Sequence, residues 1–188
     1  QGVAAEGILK YANENKIEWI VLGAKGMSLL KQIFVGSTAD AVLLHAKNKV
    51  LMIPEKTAFR NFDKIIYATD YHEKDLSYLK ETCELAGKNN ARVKVLHVSD
   101  LERTESFEKN MFNWFEEEVL KSVKYNQLSF ELKYSKTIAD EIVKTINADN
   151  ADLLVMITRK RGLLSRMFDK SLTKEVAHHL HVPMLSFH

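Results

Sequence analysis

The segment best suited to chemistry is the glycine-rich stretch GAKGMSLLKQIFVGST, which directly follows a short apolar run. Gly23, Gly26 and Gly36 precede Ser37 and Thr38, where a helix is predicted to begin. Glycines after a strand let the backbone approach an anion closely, and free N–H groups at a helix start complete a positive cradle. The pattern therefore favours a phosphate-binding loop, in which Ser37 caps the helix or donates its hydroxyl to a phosphate oxygen. Glycines that serve only local turns are the alternative.

Familiar catalytic patterns do not occur in the sequence. It contains neither G-x-x-x-x-G-K-[ST] nor G-x-G-x-x-G, the two glycine patterns of common nucleotide sites. It also contains no G-x-S-x-G elbow or other frame that would activate a nucleophile. We therefore predict no catalytic residue.

Two groups of basic residues near the C-terminus are weaker candidates. The stretch TRKRGLLSRMFDKS holds five basic residues and one acidic residue, and we favour a solvated loop over a phosphate, nucleic-acid or acidic-partner contact. His178, His179 and His181 lie near the predicted end of the last helix. Adjacent residues point to different sides of a helix, and no carboxylate or thiolate accompanies them, so we expect no metal site.

Composition excludes several classes of protein. The formal charge of +2, from 27 basic and 25 acidic residues, gives no large field to attract nucleic acid or an anionic membrane. No apolar run approaches the roughly 20 residues that cross a bilayer, and the opening QGVAAEGILK lacks the layout of a signal peptide. We therefore expect a cytoplasmic protein with no membrane partner and no nucleic-acid partner.

The elements that must position these residues follow an α/β pattern. Short apolar runs rich in β-branched residues alternate with amphipathic stretches, which predicts a five-stranded parallel open sheet with helices on both faces from residue 63 onward. The predicted strands are 64–69, 91–98, 128–134, 153–157 and 183–187, and the predicted helices are 75–88, 104–124, 138–147 and 172–181.

Two of the predicted helices show apolar faces that we interpret as core. Cys83, the single cysteine, lies on the apolar face of helix 75–88 and is predicted to be a buried thiol. Helix 104–124 carries Phe107, Met111, Phe115 and Val119 at spacings of four, which predicts a buried stripe.

An internal repeat relates the segment 1–56 to the end of the chain at one constant offset, with no gap in the alignment. We infer that residues 1–56 are the C-terminal part of a first module, that residues 57–188 are a complete second module, and that about 74 residues of the first module lie upstream. Two strands and two helices cannot cover both faces of a sheet, so residues 1–56 must pack on the second module or on another chain. Identities at this offset include Ala5/Ala139, Ile8/Ile142, Lys10/Lys144, Asn13/Asn147, Val21/Val155, Phe34/Phe168, Ser37/Ser171 and His45/His179.

The spacing G-x2-G-x9-G-[ST] resembles the nucleotide-binding signature of the universal stress protein family. FDKIIYATDYHEKD and VKVLHVSD resemble the first two strands of that family. The resemblance implies an adenine nucleotide alpha hydrolase-like, Rossmann-like fold in which modules pair through their last strands, here Val50–Ile53 and Met184–Phe187. It also implies that the glycine loop with Ser37 and Thr38 holds the phosphates of ATP, with or without Mg²⁺, and that Asp70 is the second module's acid beside the adenosine.

The second module departs from this signature, because Ile157, Lys160 and Lys170 stand where the first has glycines. Side chains at these positions obstruct close backbone approach, so we expect no ATP at the second module. The expected function is an ATP-responsive binding module in the stress response that at most hydrolyses bound ATP slowly. The alternative is a scaffold that binds no nucleotide and acts through dimerisation and protein partners.

Overall fold

The computed structural model describes residues 3–24, 37–55, 57–58, 61–72, 74–100, 104–159 and 170–188. Over these residues the chain folds into α-helices and β-strands that alternate along most of its length. The helices are α1 Val3–Glu14, α2 Ser37–His45, α3 Asp75–Gly87, α4 Glu105–Ser122, α5 Ile138–Asp149 and α6 Lys170–His179. The strands are β1 Trp19–Ala24, β2 Lys49–Pro54, β3 Lys64–Ala68, β4 Arg92–Ser99, β5 Leu128–Tyr134, β6 Leu153–Ile157 and β7 Met184–Phe187.

The strands form one sheet in the order β1-β2-β7-β6-β3-β4-β5. The β1–β2, β3–β4, β3–β6 and β4–β5 pairs are parallel, whereas β2 and β7 are antiparallel. The sheet therefore differs from the five-stranded one predicted from the sequence, because β2 pairs with β7 and brings β1 into the same sheet. All five residues of β6 are buried, as expected for a strand covered on both faces.

Contacts divide the chain into two compact units. The first unit contains residues 1–59 and 156–188, and the second contains residues 60–155. This division differs from the boundary of the sequence repeat, since residues 156–188 group with the N-terminal segment.

In the first unit, β2 and β7 are the strands that join the N-terminal and C-terminal segments. Their ladder pairs Leu51 with Leu185, and α2 packs against α6 on the same segments. Val42, Leu43 and Val176 are fully buried and form part of the core.

In the second unit, β3, β4 and β5 are connected by α3 and α4, and α5 leads to the start of β6. Tyr67, Leu79 and Phe115 are among its largest buried side chains. The carboxylate of Asp152 accepts hydrogen bonds from the backbone N–H groups of Asp63 and Lys64, both at 3.0 Å, and so fixes the beginning of β3.

Candidate functional site

The glycine loop is described only at its two ends. Gly23 lies in the last part of β1, and a Cβ placed there would meet no described atom within 4 Å. Ser37 and Thr38 are the first two residues of α2, and Ser37 is exposed. Gly26 and Gly36 lie outside the described residues. The described ends of the loop are thus the end of a strand and the start of a helix.

Asp70 lies in the turn between β3 and α3, and its side chain is half-buried. The buried carboxylate of Asp75 anchors this turn, because its Oδ2 atom accepts hydrogen bonds from the hydroxyl of Thr69 and, at 3.2 Å, from the N–H of His72. Tyr67 donates its hydroxyl to the backbone carbonyl of Asp75 at 3.2 Å. Hydrogen bonds from residues before and after Asp70 therefore hold this turn to the start of α3.

Tyr71 adopts a left-handed backbone conformation, with φ at 62°. A bulky residue in this region costs on the order of 1–3 kcal/mol, so the surrounding packing must impose it. The Tyr71 ring stacks on His97, with centroids 4.0 Å apart and an interplanar angle of 27°, and lies 5.4 Å from the ring of Phe115. These contacts hold the turn at the carboxyl end of β3 in one conformation.

His97 and Glu108 form a fully buried pair behind this turn. His97 Nδ1 lies 2.7 Å from the Thr69 carbonyl, which can only accept, so Nδ1 carries a hydrogen and donates it. Nε2 lies 3.2 Å from Glu108 Oε2, and a proton must lie between these two atoms. Burial lowers the pKa of His97, whereas the Thr69 carbonyl, Glu108 and Asp70 act in the opposite direction. The pair has no solvent access and therefore positions β4, α4 and the Asp70 turn rather than reacting with a ligand.

Two further hydroxyl groups lie at the carboxyl ends of β4 and β5. Ser99 and Tyr134 are paired in the strand register, and neither Ser99 Oγ nor the Tyr134 hydroxyl has a hydrogen-bond partner among the described residues. Parallel sheets bind ligands outside the carboxyl ends of their strands. Asp70, Ser99 and Tyr134 thus place polar groups at that edge of the second unit.

The corresponding region of the last segment is filled by side chains. Ile157, which occupies the repeat position of Gly23, is 3% exposed at the end of β6. Next to it, the buried hydroxyl of Thr158 lies 2.6 Å from Ser186 Oγ and 3.2 Å from Thr173 Oγ1. These hydroxyls satisfy one another, so they are not directed at a ligand. Lys160 lies outside the described residues, as does most of the basic stretch.

Two of the three histidines near the end of the last helix have partners within the chain. His178 Nε2 lies 3.1 Å from Asp40 Oδ1, and His179 Nδ1 donates to the Glu175 carbonyl at 2.8 Å. No group of three or more His, Cys, Asp or Glu residues in the described part of the chain could hold a metal ion. None of the described helices is long and apolar enough to cross a membrane.

A cleft of about 220 Å³ lies at the opposite edge of the second unit, beside the amino ends of β3 and β4. Three basic residues line it, but Lys94 Nζ is 2.6 Å from Asp149 Oδ2 and 2.8 Å from Glu131 Oε2. Lys64 Nζ donates to the Asp149 carbonyl at 2.8 Å. These internal partners make the cleft a poor anion site.

Sequence reasoning missed Asp75, Tyr71 and the His97–Glu108 pair. A signal was present for His97, which is the polar residue within the otherwise apolar segment VLHV of β4. The predicted apolar stripe of α4 was wrong at Phe107, which is 48% exposed, whereas Glu108 is buried. The buried face of this helix carries Glu108, Phe115 and Val119.

Comparison with known proteins gave one matching family. The model of the universal stress protein family matches residues 1–54 and, separately, residues 61–188. No curated protein matches the chain at a significant level.

Several solved structures have a similar fold. A putative universal stress protein from Pseudomonas aeruginosa UCBPP-PA14 is 20% identical with a TM-score of 0.74, and the match covers 100% of this chain and 68% of that protein. A universal stress protein from Archaeoglobus fulgidus DSM 4304 is 18% identical with a TM-score of 0.71, over 97% of this chain. The chain spans 64% of the length of that Archaeoglobus protein. A universal stress protein in complex with cAMP is 16% identical with a TM-score of 0.53, over 69% of this chain and 98% of that protein.

Proposed function

This chain belongs to the universal stress protein family, and we propose that it is a cytoplasmic, ATP-responsive binding protein of the stress response. The observation that carries the proposal is the position of Gly23 at the end of β1 and of Ser37 and Thr38 at the start of α2. No described atom lies within 4 Å of a Cβ placed at Gly23, and the absence of a side chain there together with the free N–H groups of a helix start suits a phosphate group. The solved complex of a structural neighbour with cAMP adds support for an adenine nucleotide.

The proposed site binds the phosphates of ATP at Gly23, Gly26, Gly36, Ser37 and Thr38. When bound, Mg²⁺ would neutralise part of the phosphate charge. We propose no catalytic residue and at most slow hydrolysis of bound ATP. Asp70, held by the turn after β3, is the acid that the second copy offers at the carboxyl edge of its strands.

We propose further that the second copy of the signature does not bind ATP. The second copy has the buried side chain of Ile157 at the repeat position of Gly23, which has no side chain. The neighbouring hydroxyls of Thr158, Thr173 and Ser186 bond to one another.

A tandem arrangement follows from the same repeat. Residues 1–56 are proposed to be the end of a first module and residues 57–188 a complete second one. Support comes from the two separate family matches and from β1 and β6, which begin at Trp19 and Leu153, two equivalent positions of the repeat. The edge strand β1 leaves Val21 58% exposed and α1 leaves Tyr11 64% exposed, as expected where further elements of a module would pack.

The second candidate function is a scaffold that binds no nucleotide and acts through self-association and protein partners. The observation in its favour is the antiparallel β2–β7 ladder, because β2 and β7 occupy equivalent positions of the repeat. In this alternative the glycines of the first segment serve only local turns.

Thermal unfolding with and without millimolar Mg-ATP, and with AMP, separates the two functions. A ligand bound only by the folded chain stabilises it by RT ln(1 + [L]/Kd), or about 2.7 kcal/mol at one hundred times Kd. We expect ATP to raise the Tm, Gly36→Val to abolish the rise, and Lys170→Val, at the equivalent position of the second copy, to leave it intact. An unchanged Tm with the wild-type chain would favour the scaffold.

A further inference from the structure

The ladder between β2 and β7 is symmetric with respect to the internal repeat. Leu51 and Leu185 are partners in the ladder and also occupy equivalent positions of the repeat. If each residue of the ladder is replaced by its equivalent in the other copy, the same pairs of positions result. Isologous interfaces between identical subunits have this twofold symmetry. The pairs on either side are Val50 with Ser186 and Met52 with Met184, and the repeat makes these two pairs equivalent to each other.

An ion pair between α2 and α6, the helices that precede β2 and β7, has the same symmetry. Asp40 of α2 and Lys174 of α6 occupy equivalent repeat positions, and Asp40 Oδ2 lies 3.0 Å from Lys174 Nζ. His178 Nε2 approaches the same carboxylate at 3.1 Å, whereas its equivalent in the first copy is the apolar Leu44. The Asp40 and His178 side chains are 14% and 22% exposed, whereas the Lys174 side chain is 47% exposed, so the carboxylate is shielded from water and the ammonium group is not.

We propose that Asp40 and Lys174 select the partner of this surface, so that the α2–β2 surface binds the α6–β7 surface and not a second copy of itself. The reason is that each residue faces the position equivalent to its own. Two α2–β2 surfaces would bring together two Asp40 carboxylates, and two α6–β7 surfaces would bring together two Lys174 amines with His178 on each side. Like charges at this spacing repel, whereas the observed pair attracts.

The strands themselves differ at one position of the ladder. Leu51 and Leu185 are identical and Val50, Met52 and Met184 are apolar, whereas Ser186, the repeat equivalent of Met52, carries a buried hydroxyl 2.6 Å from Thr158 Oγ1. The charge difference at positions 40 and 174 adds an electrostatic specificity to the single difference between Met52 and Ser186. This inference depends on the repeat and on the contacts of the first unit, and it does not depend on nucleotide binding.

A double-mutant cycle in the full chain tests the contact. Asp40→Lys and Lys174→Asp should each raise the hydrogen-exchange rate of the β2 and β7 amides by roughly tenfold, because each places like charges together. The double reversal, D40K/K174D, should return the rate to within about threefold of the wild type. If the increases in exchange rate of the two single variants multiply in the double variant, the two side chains act independently, and this result would overturn the proposal.

Co-purification tests the choice of partner directly. D40K chains have lysine at both positions 40 and 174, and K174D chains have aspartate at both. Two chains of the same kind therefore bring like charges together whichever of their two surfaces meet. When differently tagged chains are co-expressed, we expect D40K to recover K174D at least about tenfold more than it recovers D40K. Equal recovery in the two pairings would show that charge does not select the partner.

The matched control is an exposed ion pair far along the chain. Lys109 Nζ and Glu105 Oε1 on α4 are 2.6 Å apart, and both side chains are more than half exposed. Reversing the charges of this pair should change neither the hydrogen-exchange rates of the β2 and β7 amides nor the amount of partner chain recovered in co-purification. The Tm rise with Mg-ATP, measured on D40K/K174D, reports on nucleotide binding independently, so failure of either proposal can be recognised without the other.

Discussion

The single thiol of the chain, Cys83, is 5% exposed within α3. Burial raises the pKa of this thiol to about 12, with a smaller contribution from Glu84. Because the thiolate is the reactive form, iodoacetamide should label the folded chain at pH 8 at least about 1000-fold more slowly than the urea-unfolded chain. Mass spectrometry of timed samples measures both rates. Comparable rates would mean that Cys83 is accessible and that the interpretation of a core thiol is wrong.

The buried pair of His97 and Glu108 can be tested by two replacements of the acid. Glu108→Gln keeps the shape and supplies an N–H that can donate to Nε2 of a neutral imidazole, so we expect a loss below about 1 kcal/mol. Glu108→Ala leaves Nε2 without its partner and should cost about 2–4 kcal/mol. Urea unfolding at pH 7 measures both. Equal losses in the two variants would contradict a proton-bearing contact at this site.

The same pair predicts a change in pH dependence. Glu108 opposes the burial that lowers the pKa of His97, so Glu108→Gln should lower that pKa further. Below about pH 6.5 the unfolded chain then binds a proton at His97 that the folded chain does not. Stability of the variant should therefore fall from pH 7 to pH 5 relative to the wild type, by at most about 1.4 kcal/mol per pH unit. Parallel stability profiles would show that Glu108 does not influence His97.

At the scale of elements, the turn between β3 and α3 depends on one carboxylate. Asp75→Ala removes the acceptor of the Thr69 hydroxyl and the His72 N–H, and leaving buried donors unpaired should cost about 2–4 kcal/mol. Asp75→Asn retains an oxygen acceptor and should cost less than half as much. Chemical unfolding gives the stabilities, and hydrogen exchange at Tyr71 should accelerate in the alanine variant alone. A turn that exchanges equally slowly in both variants would mean that Asp75 does not anchor it.

Periodicity predicted the types and approximate positions of the helices and strands from residue 63 onward, because β3 and β6 are largely continuous apolar runs and the helices between the strands are amphipathic. It did not predict the side of α4 that faces the core. Steps of four residues drift around a helix of 3.6 residues per turn, so Phe107 and Val119 cannot both lie on one face. The buried residues Glu108, Phe115 and Val119 are separated by seven and four residues, and they include Glu108 because His97 satisfies it.

The sequence predicted those parts of the candidate site that are marked by residue spacing within one short segment. The strand end at Gly23 and the helix start at Ser37 follow from glycine spacing and the apolar run. Asp75 and Glu108, in contrast, act through side-chain contacts with Thr69, six residues earlier, and with His97, eleven residues earlier. A hydrogen bond between a strand and a helix leaves no periodic signal in one sequence. The pairing of β2 with β7 was anticipated only through the family resemblance.

At the scale of the molecule, the repeat offers a pair of identical residues in contrasting surroundings. Val21 of β1 and Val155 of β6 occupy equivalent positions, but Val21 is 58% exposed and Val155 is fully buried. The difference follows from the strand order, since β1 is at the edge of the sheet and β6 lies between β7 and β3. Exposed edge strands are sites of association with other chains.

Lysine at each of these positions tests that contrast. Val21→Lys should change stability by less than about 0.5 kcal/mol, because its ammonium group reaches water, and it should reduce concentration-dependent association. Val155→Lys buries a charge without a partner and should cost at least about 3 kcal/mol. Thermal unfolding and light scattering over a range of concentrations measure both effects. A large loss in Val21→Lys would show that β1 is already covered in solution, and the proposal that it awaits further elements of a first module would then fail.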